Sequence, residues 1–176
     1  MAIPWTPAEL NFIAEEDILI KITPHFTAEK IELLSGEFGP FRAGRPIKVP
    51  FWLGLFFHSS QTCELNPPKW LNTSTLKKVV DRERAEKRSL TKLPQYYMEI
   101  SYTFFNNTPA TIDDCDQVRD LVNRIWELRV EKIRKSIVEE SSERADQLQL
   151  ENVTQMELHL FREPISKITG LLTSML

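Results

Sequence analysis

Three histidines, two cysteines and a cluster of aspartates are the side chains here best suited to metal or nucleophilic chemistry. Their spacing argues against each use. His25, His58 and His159 stand in separate parts of the chain with no CxxC or HxxxH pair to seed a zinc site. Asp113, Asp114 and Asp116 lack the glycine and terminal glutamate of a calcium loop, and they suit a helix start, where acid meets the positive end of the dipole. The glycines of Gly36-Glu37-Phe38-Gly39-Pro40 suggest a phosphate cradle, yet Pro40 has no N–H and no Gly-Lys-Ser/Thr follows. A shaped turn is expected there. Cys63 and Cys115 have no base at a motif spacing and are expected to be idle thiols. No catalytic residue, cofactor or metal is expected.

Two cationic sets remain. Phe41, Arg42, Arg45, Lys48 and Trp52 could stack on and neutralise single-stranded DNA in segment 41–52, but the same residues suit a packed loop. A formal net charge of -3 leaves no basic excess to neutralise phosphates, so little or no direct DNA binding by the isolated chain is expected. Arg129 and Lys132 fall within the apolar arc of a long predicted helix, Arg129 close to its centre. There an arginine either meets a carboxylate from a neighbouring helix or subunit or snorkels to solvent.

The elements that must position these residues divide the chain in two. Thr6 as cap, Pro7 at the first helical position and Glu9 at capping-box spacing predict a short helix over 6–16. Ile18, Ile20 and Ile22 then alternate as in a strand, and 31–34 and 47–49 are further strand candidates, giving a small sheet of about three strands. The apolar stretch 51–58 is expected as a short helix over that sheet, and the first unit ends near Gln61. Residues 63–71 read as a linker, because Pro67 and Pro68 break regular structure.

Helices are expected thereafter. One runs from a cap at Asn72 or Thr73 to about Arg88, with Leu76, Val79 and Val80 inward. A second follows Pro94, with Tyr97, Ile100, Ser101 and Phe104 on one face, and a third runs from the aspartates to about Glu140. The last begins after Asn152 and carries a kink at Pro164. Residues 139–149 are the one polar stretch long enough for a mobile loop. The fold class is therefore α+β and mostly α: a small N-terminal β-containing domain, 1–61, ahead of an α-helical bundle, 62–176. The longest apolar run is far below the ~20 residues of a membrane crossing. The opening MAIPWTPAEL has neither a basic n-region nor an apolar h-region, and a reducing compartment is expected.

The third helix, about 25 residues or roughly 37 Å, carries apolar residues over an arc of about 200°, twice the minimum stripe of a surface helix. Val118, Leu121, Val122, Ile125, Trp126 and Ile133 define it with Arg129 among them. Phe161, Ile165, Ile168 and Leu172 spread similarly on the last helix. Either one self-contained bundle has a generous core, or partner subunits complete these faces.

An ordered string of motifs then carries a family resemblance. Phe38-Gly39-Pro40-Phe41, Gly44, Pro46, Val49-Pro50, Trp52-Leu53, Cys63, Pro67-Pro68 and Trp70 resemble the central block of the Psf-two family of GINS subunits. Leu93-Pro94, Tyr97-Met98-Glu99, the set Trp126, Arg129, Lys132 and Arg134, and 150–154 with Met156-Glu157 extend the similarity over nearly the whole chain. The resemblance implies a β-containing domain ahead of a helical one, a nuclear location and a non-catalytic place in a four-subunit complex. Its implied partners are three other GINS subunits, the MCM ring and a RecJ-like recruitment factor within the replicative helicase. Two departures stand out: His58-Ser59-Ser60-Gln61-Thr62 where basic residues are common before the cysteine, and Glu151 where aspartate is usual.

Overall fold

The computed structural model describes residues 7–87, 89–143 and 151–162. Helix α1, Pro7–Asp17, leads into β1, Leu19–Pro24, whose alternation buries Ile20, Ile22 and Pro24 and leaves Leu19 and Lys21 in solvent. After β2, Ile31–Leu33, and β3, Gly36–Phe38, come β4, Ile47–Pro50, helix α2, Phe51–Ser59, and β5, Cys63–Asn66. β1 is the centre of an antiparallel sheet of order β4-β1-β5, with Ile22 opposite both Ile47 and Leu65. α2 covers the inward face of this sheet at close range. A Cβ on Gly54 would lie 3.1 Å from both Ile22 Cγ2 and Leu65 Cδ2, so the absent side chain sets the helix-to-sheet distance.

Two expectations about this half are corrected. Residues 63–66 form a strand rather than the start of a linker: Cys63 and Leu65 are buried while Glu64 is exposed, a strand alternation that the prolines end rather than prevent. The third strand of the sheet is thus β5. The strand expected over 31–34 forms as β2, but it pairs with β3 in a separate hairpin, its Leu33 exposed, and β3 lies where a shaped turn was expected.

The helical half follows its periodicity closely. α3, Thr73–Ala85, is capped by Asn72, whose Oδ1 accepts the Thr75 amide at 2.8 Å, and it buries Leu76, Val79 and Val80. α4, Tyr97–Asn107, buries Tyr97, Ile100, Ser101 and Phe104. α5, Cys115–Glu143, spans 29 residues, about 43 Å at 1.5 Å per residue, and so takes in 139–143, which the sequence assigned to a loop. A last helical stretch, α6, covers described residues 155–162. The expected Thr6 cap, the Pro164 kink and the sites Ile165, Ile168 and Leu172 lie outside the described residues.

The two halves share one core. Phe51 of α2 stacks on Phe104 of α4, with ring centroids 5.5 Å apart and planes 21° from parallel, and one buried cluster runs from Ile20 and Leu65 through Leu76 and Phe104 to Ile125. A smaller cluster of Leu90, Ile133, Ile137 and Phe161 lies further along α5.

Candidate functional site

Between those two clusters, at the position on α5 that separates Ile125 from Ile133, sits Arg129 with 0 % exposure. Its five N–H groups all find acceptors. Nε and Nη2 grip the Glu157 carboxylate bidentately at 2.6 and 2.8 Å. Nη1 donates to Glu83 Oε1 at 3.0 Å and to the Thr91 carbonyl at 2.8 Å, and Nη2 also donates to the Asn152 carbonyl at 2.8 Å. Lys132, one turn on, donates to Glu83 Oε2 and to the Ser89 carbonyl. Two cations and two carboxylates leave the cluster neutral.

Each carboxylate is aimed by its own element. Glu83 lies in the last turn of α3, where it also accepts the Thr91 amide at 2.8 Å. Glu157 reaches back to the Thr154 amide at 2.9 Å, half of a capping box at the start of α6. The Tyr97 hydroxyl donates to Glu157 across 3.4 Å. Burial acts to raise the Glu83 pKa, but hydrogen bonds from Lys132 and the Thr91 amide and the charges of Arg129 and Lys132 outweigh it and hold the carboxyl below its usual range. Burial acts against the Arg129 charge as well, and the hydrogen bonds and charge of Glu157, with Tyr97 and Glu83, keep its pKa above the ordinary value. Burial and the neighbouring Glu157 push the Tyr97 phenol upward.

This arrangement ties α3, α4, α5, α6 and two connecting segments to one guanidinium. Arg129, Glu83 and Glu157 are within 1 % of full burial, so the guanidinium and both carboxylates are closed to a substrate, while Lys132 borders an open cleft between α3 and α5. The cluster's chemistry is that of an anchor. Ion pairs of this kind stabilise modestly when intact and destabilise strongly when one partner is removed.

The expectation that α5 presents its apolar arc to a partner is corrected for most of its residues. Val118, Val122, Ile125, Arg129 and Ile133 are buried in this chain's own core, as is Phe161. The reason is that α3 and α4 pack against α5, while Glu83 of α3 and Glu157 of α6 supply the carboxylates for Arg129 internally. Leu121 and Trp126 are only half-buried and keep a face outward. On α6 the buried Glu157 and Phe161 are flanked by Leu158 and Leu160, which are 52 % and 45 % exposed.

The segment 38–70 proves to be a packing device. Gly39 has φ +121°, and a Cβ there would meet the Glu29 carbonyl oxygen and Lys30 Cα at 3.2 Å. The Gly39-Pro40 peptide is cis. Phe41 is 0 % exposed, pairs its backbone with Ala28 at 2.9 and 3.0 Å and contacts the Phe26 and Phe57 rings. Trp52 meets Phe38 edge-on at 6.4 Å. Pro50 leads into α2, the Phe51 amide bonding back to the Ile18 carbonyl at 2.9 Å. Pro67 and Pro68 end β5, a turn from the Pro68 carbonyl to the Leu71 amide follows, and Trp70 packs on the core. With Phe41 enclosed, Trp52 is the one ring of the two that segment 41–52 could still offer to single-stranded DNA, and it is half-buried against Phe38.

The cysteines follow the same logic. Cys63 is buried beside the Gly54 carbonyl, and burial with the charge of Glu64 pushes its thiol up to about 11, far from thiolate reactivity. Among the described residues no group of histidine, cysteine, aspartate and glutamate is placed to hold a metal ion, and no helix is long and apolar enough to cross a membrane.

Sequence reasoning located Arg129 but missed its carboxylates. Glu83 reads as part of a solvated charge run on α3. Glu157 carried a usable signal in the Thr154-x-x-Glu157 spacing. Glu99 is buried on α4 with neither carboxylate oxygen hydrogen-bonded; it stood in a family motif, but nothing in its spacing signalled burial.

Comparison with known proteins agrees with this architecture. A family model described as the PSF2 N-terminal domain matches residues 6–66, and one described as the GINS complex protein helical bundle domain matches residues 70–176. The human DNA replication complex GINS protein PSF2 is 37 % identical over 153 residues, covering 86 % of this chain and 82 % of that protein. The Xenopus laevis protein of the same name is 31 % identical over 173 residues, covering 96 % and 92 %. A probable PSF2 of Drosophila melanogaster is 31 % identical, covering 89 % and 76 %. With both halves matched in order and full-length relatives above 30 % identity, this chain belongs to the PSF2 family of GINS complex proteins.

Proposed function

We propose that this chain is a non-catalytic subunit of a GINS assembly acting in chromosomal DNA replication in the nucleus. Three other GINS subunits are its direct partners, and through them it joins the MCM ring and a RecJ-like recruitment factor in the replicative helicase. The family supports the GINS role, since relatives aligned over most of their length are named for that complex. The observation that carries the partner-binding part is the pair of apolar shoulders on α6. Leu158 and Leu160 flank the buried side of that helix on both edges and remain open to solvent, which is the surface a neighbouring helix would close. Leu121 and Trp126, half-buried on α5, and Ile165, Ile168 and Leu172 are assigned to partner contacts as well.

The neutral, sealed Arg129 cluster fits a scaffold because it fixes how the helices present those shoulders and exposes no reactive group. Co-expression with the other three subunits tests the proposal. A complex containing all four chains is expected, without ATPase activity that tracks this chain. A chain that never co-purifies with them refutes it.

A further inference from the structure

Where β1 and the end of β5 meet the first residue of α2 and helix α4, a groove of about 260 Å³ opens, lined by Leu19, Lys21 and Lys48 and floored by Phe51 and Phe104. Its walls are apolar, with Leu19, Pro67, Pro68 and Ile100 among them, and its mouth carries three lysines, Lys21, Lys48 and Lys69, without one acidic side chain in the lining. Lys21 and Lys48 are directly opposite in the antiparallel register of β1 and β4, an arrangement of like charges that destabilises a sheet unless an anion lies between them. All three lysines are exposed, and their ammonium groups make no hydrogen bond or ion pair among the described residues. The nearest carboxylate on that face, Glu64, stands two positions along β5 from the lysine row and opposite Thr23. Leu19, at the edge of the groove, is 61 % exposed.

We propose that this groove docks an acidic peptide segment of a partner protein, inserting one apolar side chain against Leu19, Pro67 and Pro68 while its carboxylates meet Lys21, Lys48 and Lys69. The surface is separate from the shoulders of α6, so it stands or falls independently of that interface. The volume is below the roughly 300–1,000 Å³ of small-ligand sites and suits a single large side chain. Asn66, the remaining polar residue in the lining, is already engaged, donating to Thr23 Oγ1 at 3.0 Å, so no convergent set of buried polar groups is free to orient a metabolite. Nucleic acid is the lesser fit, because the aromatic rings at the groove, Phe51 and Phe104, are each 1 % exposed and offer no face to a base.

The test uses the full chain in the complex with which it co-purifies and a fluorescein-labelled peptide, Asp-Glu-Asp-Phe-Glu-Asp-Glu, read by anisotropy. The same peptide with alanine for phenylalanine and a labelled twelve-nucleotide oligo-dT serve as comparisons. Saturable binding of the phenylalanine peptide is expected, weakened at least ten-fold by Lys21→Glu with Lys48→Glu, at least five-fold by Leu19→Asp, and at least five-fold in the alanine peptide. Lys87→Glu, an exposed lysine outside the groove, should leave it unchanged. Melting of every variant within 2 °C of the parent shows that the losses are local. Absence of peptide binding, or binding indifferent to the groove variants, overturns the proposal. Tighter binding of oligo-dT that is lost with Lys21→Glu and Lys48→Glu overturns it too and assigns the groove to nucleic acid.

Discussion

Removing the Arg129 guanidinium would leave Glu83 and Glu157 charged inside the chain, with the Thr91 and Asn152 carbonyls stripped of a donor. Arg129→Ala should therefore cost about 3–5 kcal/mol, read as urea midpoint or melting temperature. Arg129→Lys should recover only part of it, because an ammonium cannot supply the bidentate fork and five donors. Lys78→Ala, on the exposed face of α3, should stay within about 0.5 kcal/mol. Glu99 gives a pH signature of its own. Burial raises its carboxyl most, its own backbone amide acts against that, the charge of Glu157 adds to the rise, and the result is a pKa of about 7. An unfolded glutamate titrates near ~4.3, so between those values unfolding releases a proton and stability falls as pH rises. Glu99→Gln should melt above the parent at pH 8 and level with it near pH 4. Glu83 works in the opposite sense: its lowered pKa supplies stability above ~4.3 that is lost as pH falls through the folded value. Arg129 was legible because a cation inside an apolar arc demands an explanation. Its partners were not, since three elements separated by long stretches of sequence converge on it.

At the scale of elements, helix boundaries were readable where caps and periodicity agreed, as at Asn72 and along α5. β5 was hidden because two prolines follow it, and a proline that ends a strand looks the same in sequence as one that prevents it. β2 was legible, but β3, its hairpin partner, was hidden by Gly36 and Gly39. Those glycines now separate into two kinds. Gly36 and Gly39 both have positive φ, at +131° and +121°, but a Cβ at Gly36 would meet nothing within 4 Å, whereas at Gly39 it would meet backbone atoms at 3.2 Å. Both alanine variants carry conformational strain, of about 1–3 kcal/mol. Gly39→Ala should be the more destabilising, because the backbone of Glu29 and Lys30 must also shift and drag Phe41 from its aromatic cage. Equal urea midpoints for the two variants would show that the contact is not tight.

For the whole molecule, the order of a β-containing unit and a helical unit was legible from the change in periodicity. Their shared core was not. The Phe51–Phe104 stack joins residues from opposite sides of a stretch read as a linker, and the pairing of β5 with β1 and the packing of α1 on both α2 and α4 bring those sides together. Most of the wide arc of α5 likewise closed on the chain itself, which leaves Leu121 and Trp126 as its half-buried members, beside the exposed Leu158 and Leu160 of α6. We propose that these outward apolar residues hold the chain in its assembly while the Arg129 cluster holds the chain in its fold. Native mass spectrometry of the co-expressed subunits, comparing the parent chain with the double variant Leu158→Asp and Leu160→Asp, tests it most directly. A four-chain mass for the parent and its loss in the double variant, with this chain's helix content unchanged by circular dichroism, is the predicted result. A four-chain complex recovered in equal yield from the double variant would contradict it.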